Sequence, residues 1–476
     1  MGAGLSGIGA AYHLQSQCPA KTFAILEGRE ALGGTWDLFR YPGVRSDSDM
    51  YTLGYAFRPW KEAKAIADGS DILKYLQDTA GEYGIDRKIR FGQQVVRASW
   101  SSAEAQWTVE TKTARFTCGF LYMCSGYYDY AEGYMPSWPG KDDYRGRIVH
   151  PQRWPKDLDY AGKRVIVIGS GATAVTLVPS LAKTAEHVTM LQRSPTYIVS
   201  LPSEDKIAIF LRRLLPGGLA YKIVRWKNVL LGMIFYNLAR FKPDATKNNI
   251  INQVKKQLGP DYDVAKHFSP RYNPWDQRLC LVPDADLFSA IRSGKASIET
   301  DEIEAFTEKG LRLKSGTELE ADIIVTATGL KLKMLGGMDV RVDGAAPELA
   351  RTLSYKGTMY SDIPNLASAF GYTNASWTLK SDLTAQYVCR LLNHMDAEGY
   401  AYCTPRRRDP GVTEEPLVNF TSGYFQRVND ALPKQGSKKP WKLYQNYALD
   451  MLALRFGAVE DGALEFARLK DKRRAG

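Results

Sequence analysis

The 476 residues exceed one compact domain and suggest two or three of about 150 residues each. A content of 44% hydrophobic, 24% charged and 11% aromatic residues excludes a disordered, collagen-like or mucin-like chain. The net charge of +11 favours polyanions, phosphorylated cofactors or an anionic membrane face.

The longest uncharged stretch of the greasiest region, residues 228–239, is about half a bilayer helix, so no transmembrane span is expected. The start lacks a basic segment leading into an apolar core, so no secretory signal is expected. Six cysteines contain no Cys-x-x-Cys, and the five histidines contain no i, i+4 pair. Zinc ribbons and dithiol redox centres therefore lose their usual signature, no metal site is expected, and a reducing cytoplasm is the expected setting.

In chain order, Gly2-Ala3-Gly4-Leu5-Ser6-Gly7 leads into an alanine-rich apolar stretch with helical spacing, then a short strand-like run ending at Glu27. This is G-x-G-x-x-G opening a helix, with an acid downstream. The glycines permit a tight turn and close approach to a pyrophosphate, and the acid bonds a ribose hydroxyl pair. Residues 93–125 alternate like strands and finish in Met123-Cys124-Ser125-Gly126. The pattern then repeats. A buried-strand run at 164–168 enters Gly169-Ser170-Gly171-Ala172-Thr173-Ala174, and the next strand ends at Gln192-Arg193. Here the acid is absent and an arginine follows, which suits the 2′-phosphate of NADPH.

Residues 206–242 carry eight basic side chains and no acidic one, interleaved with apolar runs, and Pro216-Gly217-Gly218 divides them into two expected helices. They read either as a packed helical insertion with snorkelling cations or as a surface resting on an anionic membrane. No nucleic-acid recognition motif accompanies the charge. Residues 296–329 again alternate like strands and end in Thr326-Ala327-Thr328-Gly329, the same small-small-Gly exit. The expected fold is α/β with two Rossmann-like dinucleotide-binding domains. The first spans 1–157. The second spans 158–330 with a helical insert at about 200–270, and 331–476 returns to the first.

Tyr144-Arg145-Gly146-Arg147-Ile148-Val149-His150-Pro151-Gln152-Arg153-Trp154-Pro155 resembles the Baeyer–Villiger monooxygenase signature F-x-G-x-x-x-H-x-x-x-W-P, with tyrosine for phenylalanine. Gly33-Gly34-Thr35-Trp36 through Asp47 is similar to that family's segment under the flavin ring, and Pro274 to Leu279 to its P-W-D-Q-R-L segment. The resemblance implies a class B flavin monooxygenase of the branch oxidising ketones, sulfides and thioamides, with FAD at the first site and NADPH at the second. NADPH reduces the flavin, which activates dioxygen as a peroxyflavin that converts a ketone to an ester or lactone, or oxidises a sulfide. An N- or S-oxygenating flavin monooxygenase and a truncated, silent flavoprotein paralogue are the alternatives.

Carried over residue by residue, the resemblance makes Arg278 the catalytic cation and Asp47 its orienting partner. The expected cofactor-binding residues are Gly2, Gly4, Gly7, Glu27, Gly34, Thr35, Trp36 and Asp47 for FAD. Gly169, Gly171, Thr173 and Arg193 are expected on NADPH, and Asn374 and Thr378 near the isoalloxazine. Gly146, His150 and Trp154 are expected on the linker between domains, with His150 in a hinge role. A fingerprint of this kind follows a strand, and none precedes Met1-Gly2 here, so weakened flavin binding and poor stability are expected. The natural substrate and the oligomeric state are not readable.

Overall fold

A computed structural model of the protein describes residues 1–469. The first unit begins with helix α1 (Leu5–Gln17), whose Leu5, Ile8, Ala10 and Ala11 are buried. The strand Ile25–Leu26 pairs in parallel with Ile89–Arg90. Short helices α2 (Thr35–Leu38) and α3 (Met50–Leu53) follow, then α4 (Gly69–Glu82). In α4, Ile72, Leu73, Tyr75, Leu76 and Ala80 fall on one face and are buried, as helical spacing demands.

The alternating region after residue 93 forms the antiparallel strands Val95–Ser101, Gln106–Thr111 and Arg115–Cys118, with Trp100 opposite Trp107. Leu121–Met123 follows and runs parallel to Leu366–Ser368. Met1–Ala3 lies between the ends of two strands. The Gly2 amide donates to the Leu26 carbonyl (2.8 Å), and the Cys124 amide to the Met1 carbonyl (2.7 Å).

The second unit is a five-stranded parallel sheet in the order Ala296–Thr300, His187–Gln192, Arg164–Ile168, Ile323–Thr326, Arg147–Val149. Val165, Ile166, Val167 and Ile168 are all buried, as expected of a strand covered on both faces. Each such side chain contributes about 1.5–3 kcal/mol on burial. Helix α5 (Ala172–Leu181) packs on this sheet with Ala174, Val175, Leu177 and Val178 in its core.

One boundary differs from expectation. Arg147–Val149, assigned by sequence to the first domain, hydrogen-bonds to Ile323–Thr326 in the second sheet, so the chain crosses before residue 158. A three-residue strand between glycine and histidine carries too little periodicity to be recognised.

The insert comprises α6 (Lys206–Leu214), α7 (Gly217–Phe241), α8 (Pro243–Leu258) and α9 (Val264–Phe268). Although inserted within the second unit's sequence, α6 and α7 pack on the first. Ala208, Tyr221 and Val224 share a core with Ile8, Met50 and Tyr51. Buried Arg225 of α7 pins the contact by donating to the carbonyls of Tyr51 (2.6 Å) and Gly54 (2.7 Å), 3.8 Å from Asp382.

Helix α10 (Asp286–Arg292) returns to α5, and the chain re-enters the first unit. There Asp339–Val342 pairs with Val95–Ser101, and the long helix α11 (Trp377–Glu398) packs on α1. The outward crossing, Tyr128–Gly133, and the return, Leu330–Leu332, pair with each other as an antiparallel ribbon.

Candidate active site

A cleft of about 1450 Å³ opens between the two units, lined from the first by Gly4, Gly34, Thr35, Trp36 and Asp47, and from the second by Thr173 and Arg278. A neighbouring cleft of about 1160 Å³ runs past Gly2, Glu27 and Gly28 and shares Gly4 and Gly34 with the first. At that passage two glycines face each other. A Cβ on Gly34 would stand 3.0 Å from the Gly4 Cα, and one on Gly4 would stand 3.4 Å from the Gly34 Cα. Side chains here would narrow the passage shared by the two clefts, so an elongated dinucleotide suits a place where glycine leaves room.

The ends of this channel are chemically distinct. Helix α1 begins at Gly4 with neither a side-chain cap nor an acid in its first turn, leaving its first amides available to an anion. Gly7 must be glycine, since a Cβ would stand 1.8 Å from the Gly2 carbonyl oxygen. Glu27 is buried and accepts from the Ala3 amide (2.7 Å) and the Arg29 amide (3.0 Å), which fixes its carboxylate at the cleft wall. Arg29 pairs with Asp37 (2.6 Å) and donates to the Gly34 carbonyl (3.1 Å), holding the glycine turn. These residues fit an FAD.

The second fingerprint repeats the design. Gly169 sits at φ +136°, where a Cβ would meet the Ala327 carbonyl oxygen at 2.3 Å. Gly171 faces open space and caps α5, which again has no side-chain cap and no acid in its first turn. Thr173 lines the main cleft together with Tyr41, whose phenol burial pushes up to about 12. Arg193 is exposed at the end of its strand. These residues fit the diphosphate and phosphate of NADPH.

Arg278 and Asp47 meet where the main cleft joins a third, of about 1280 Å³. Arg278 Nη2 lies 2.6 Å from Asp47 Oδ2, and each side chain is one-third exposed. The Asp47 charge raises the Arg278 pKa beyond its already high ordinary value, so the guanidinium stays cationic. Local structure sets both positions. The Ser46 hydroxyl donates to the Ser48 carbonyl (2.6 Å) and accepts from its amide (2.9 Å), bending the chain at Asp47. Arg278 directly follows a tight turn in which Trp275 has φ +70° and Asp276 Oδ2 accepts from the Asn273 amide (3.1 Å). Arg240 of α7 grips Asp276 at 2.6 Å.

The phenols around this pair were not among the residues expected from the sequence. Tyr127 and Tyr128 hydroxyls are 2.9 Å apart, and the Tyr424 phenol feels the Arg278 charge. Burial raises all three pKa values, so the phenols stay neutral donors. Tyr127 and Tyr128 directly follow the Ser125-Gly126 exit, a signal that could have found them; Tyr424 has no motif.

The residues around the start of α11 spread out. Trp377 lines the main cleft, donates to Ser6 Oγ (2.7 Å) and stacks on Tyr127. Asn374 lines the third cleft, its Nδ2 donating to the Gln445 carbonyl (2.9 Å) while its Oδ1 is buried without a partner. Thr378 departs from its expected place. It is fully buried and donates to the Leu53 carbonyl, so it reaches the cleft only through Leu53, because the start of α11 turns it inward.

His150 caps the turn Pro151–Arg153 and lies against the ribbon. A Cβ on Gly133 would stand 1.9 Å from its ring, and burial lowers its pKa. Gln152 donates to the Asp129 carbonyl (2.8 Å). Gly146 lies under Tyr144, where a Cβ would stand 2.1 Å from the hydroxyl, and Trp154 packs edge-on to Tyr160 beside the second core.

The flavin-binding monooxygenase-like family matches residues 61–335, and an NAD(P)-binding Rossmann-like domain matches residues 1–67. The FAD-containing monooxygenase EthA of Mycobacterium tuberculosis is 56% identical over 98% of this chain and 97% of its own length. The EthA of Mycolicibacterium smegmatis is 51% identical over 98% and 96%. Among solved structures, an oxidized steroid monooxygenase bound to NADP superposes with a TM-score of 0.77 at 21% identity, covering 98% of each chain. An ε-caprolactone-bound cyclohexanone monooxygenase gives 0.77 at 19% identity, with 98% coverage of both.

Proposed function

Because the chain belongs to the flavin-binding monooxygenase-like family and is an FAD- and NADPH-dependent monooxygenase, we propose that it inserts one oxygen atom into a ketone, yielding an ester or lactone, or oxidises a sulfide. The observation that carries this reading is the Arg278–Asp47 pair at the junction of the clefts. When bound, the two cofactors supply hydride transfer and the activation of dioxygen.

The chain's own residues supply orientation and charge. Arg278 offers N–H donors whose charge cannot be lost to a base, and so stabilises negative charge developing on oxygen next to it. Asp47 holds the guanidinium by a 2.6 Å ion pair at one nitrogen and leaves other N–H groups free. Tyr127, Tyr128 and Tyr424 surround the pair with neutral hydroxyls and aromatic walls, which limits water. Thr173 and the α5 amides would hold the NADPH diphosphate, and Arg193 its 2′-phosphate.

Oxygen transfer to nitrogen or sulfur by an electrophilic oxidant needs no positioned cation, so the arginine supports the ketone reading. The same proposal includes peripheral contact of residues 206–242 with a membrane. The test is turnover of a panel of small ketones and sulfides by the FAD-loaded chain with NADPH, with oxygenated product measured against hydrogen peroxide. Ester or lactone formation supports the reading; NADPH oxidation yielding peroxide alone across the panel overturns it.

A further inference from the structure

Helix α7 is apolar on two faces. Its inner face carries Tyr221, Val224 and Val229 into the first unit's core and the third cleft. Its outer face presents Ile223, Trp226, Leu230, Ile234, Leu238 and Phe241, spaced by three or four residues and 41–83% exposed. Helix α6 extends the patch with Ile207, Phe210 and Leu214, each more than half exposed. A soluble monomer rarely leaves so continuous an apolar stripe in water.

The rim is cationic. Lys222 and Arg240 stand five turns apart on one edge of α7, and Lys206, Arg213 and Lys242 are exposed around it. No acid occurs between residues 206 and 242. Among the described residues, Lys206, Arg213, Lys222 and Lys242 form no ion pair, whereas Arg240 is held by Asp276.

Resting on the oxygenase reading, we propose that α6 and α7 dock this protein on an anionic lipid bilayer, and that an apolar substrate dissolved in the bilayer enters the third cleft beside α7. Trp, Phe and Leu flanked by lysine and arginine suit the boundary between headgroups and acyl chains, and the unanswered positive rim suits anionic lipid. A second copy fits worse: a twofold contact would set two cationic rims against each other with no acid in the segment to answer them. No helix of the described residues is long and apolar enough to cross a membrane, so the contact is peripheral.

The route inward is short. Phe235 is 36% exposed and also lines the third cleft, as do Val229, Gly232, Met233 and Tyr236. That cleft reaches Asp47 and Leu281, which also line the main one. One helix therefore forms both the lipid-facing surface and a wall of the substrate space.

The test is flotation of the FAD-loaded full chain with phosphatidylcholine vesicles, with and without phosphatidylglycerol. At least about tenfold more protein should float with the anionic vesicles. The surface double variants Leu230→Ser/Phe241→Ser and Arg213→Glu/Lys222→Glu should each lose that gain, while their turnover of a small water-soluble ketone or sulfide is unchanged. Their turnover of a long-chain ketone presented in the vesicles should fall by a similar factor.

Flotation that ignores lipid charge, or that survives both double variants, overturns the proposal. So does a dimer in solution that Leu230→Ser dissolves. Vesicle binding of the expected pattern without turnover of any ketone or sulfide would leave the docking surface standing and dispose of the oxygenation reading instead.

Discussion

Arg278 and Asp47 reach each other across the boundary between the two units, meeting at 2.6 Å over the place where two clefts join. The pair ties a loop of one unit to a loop of the other. Removing the cation should therefore strike chemistry harder than folding. Arg278→Ala is expected to lower ester or lactone formation by about 100-fold or more, the loss typical of a deleted charge-stabilising donor. NADPH oxidation should continue, with its electrons appearing as hydrogen peroxide. Product and peroxide assays on one preparation check this, and full ketone oxidation by the variant would dispose of the role given to Arg278.

The fingerprint glycines separate steric from ligand-directed roles. Gly7→Ala must drive a methyl into the Gly2 carbonyl, so the purified variant should carry little flavin and lose the yellow colour. Gly171→Ala meets nothing in the protein. It should fold and retain flavin, yet raise the KM for NADPH about tenfold, the scale of one disturbed charged hydrogen bond. An unchanged KM would argue that no phosphate approaches Gly171.

Arg193 is exposed and free to turn toward a bound 2′-phosphate. Arg193→Ala should raise the KM for NADPH by roughly tenfold or more while leaving that for NADH nearly unchanged. Parallel steady-state measurements with both nucleotides decide it; an equal effect on the two would remove Arg193 from the phosphate site.

Burial lowers the His150 pKa. The unfolded imidazole takes up a proton near its ordinary value of about 6.5, the folded one only at lower pH. Between those values the unfolded state holds more protons, so stability falls as pH drops through about 6.5 and levels off below the folded value. Melting curves from pH 7.5 to 5.5 should show this drop, and His150→Gln should make it shallower. His267, also lowered by burial, should retain its share.

Arg225 is a buried cation serving three carbonyls and a carboxylate. Arg225→Ala would leave the Tyr51 and Gly54 carbonyls without their buried donor and loosen α7 from α3, at a cost of about 3 kcal/mol. Thermal melts should show the loss, and limited proteolysis should cut within residues 206–242. A protected segment with an unchanged midpoint would refute the anchoring role.

The two nucleotide units were legible because each carries a local pattern, glycines opening a helix and an apolar strand closing the unit, within a short window. Asp47 and Arg278 were legible through short motifs, though not their distance, which depends on how two separate loops meet. The phenols escaped because Tyr424 comes from a distant segment and Tyr127 and Tyr128 look like ordinary strand aromatics. The direction of Thr378 is set by the first turn of α11, which no motif encodes. The basic insert was recognised as helical. Its packing on the first unit rests on Arg225, which in sequence resembles the seven other cations around it.

The strands Tyr128–Gly133 and Leu330–Leu332 carry the chain out of one unit and back again, and they are bonded to each other. Two separate tethers would let the units twist freely. Laced together, they resist torsion and bend most readily across the ribbon's flat side, as a strap does. Tyr128, Tyr130 and Leu330 of that ribbon also line the main cleft, so the crossing itself walls the space in which the guanidinium and its carboxylate clasp.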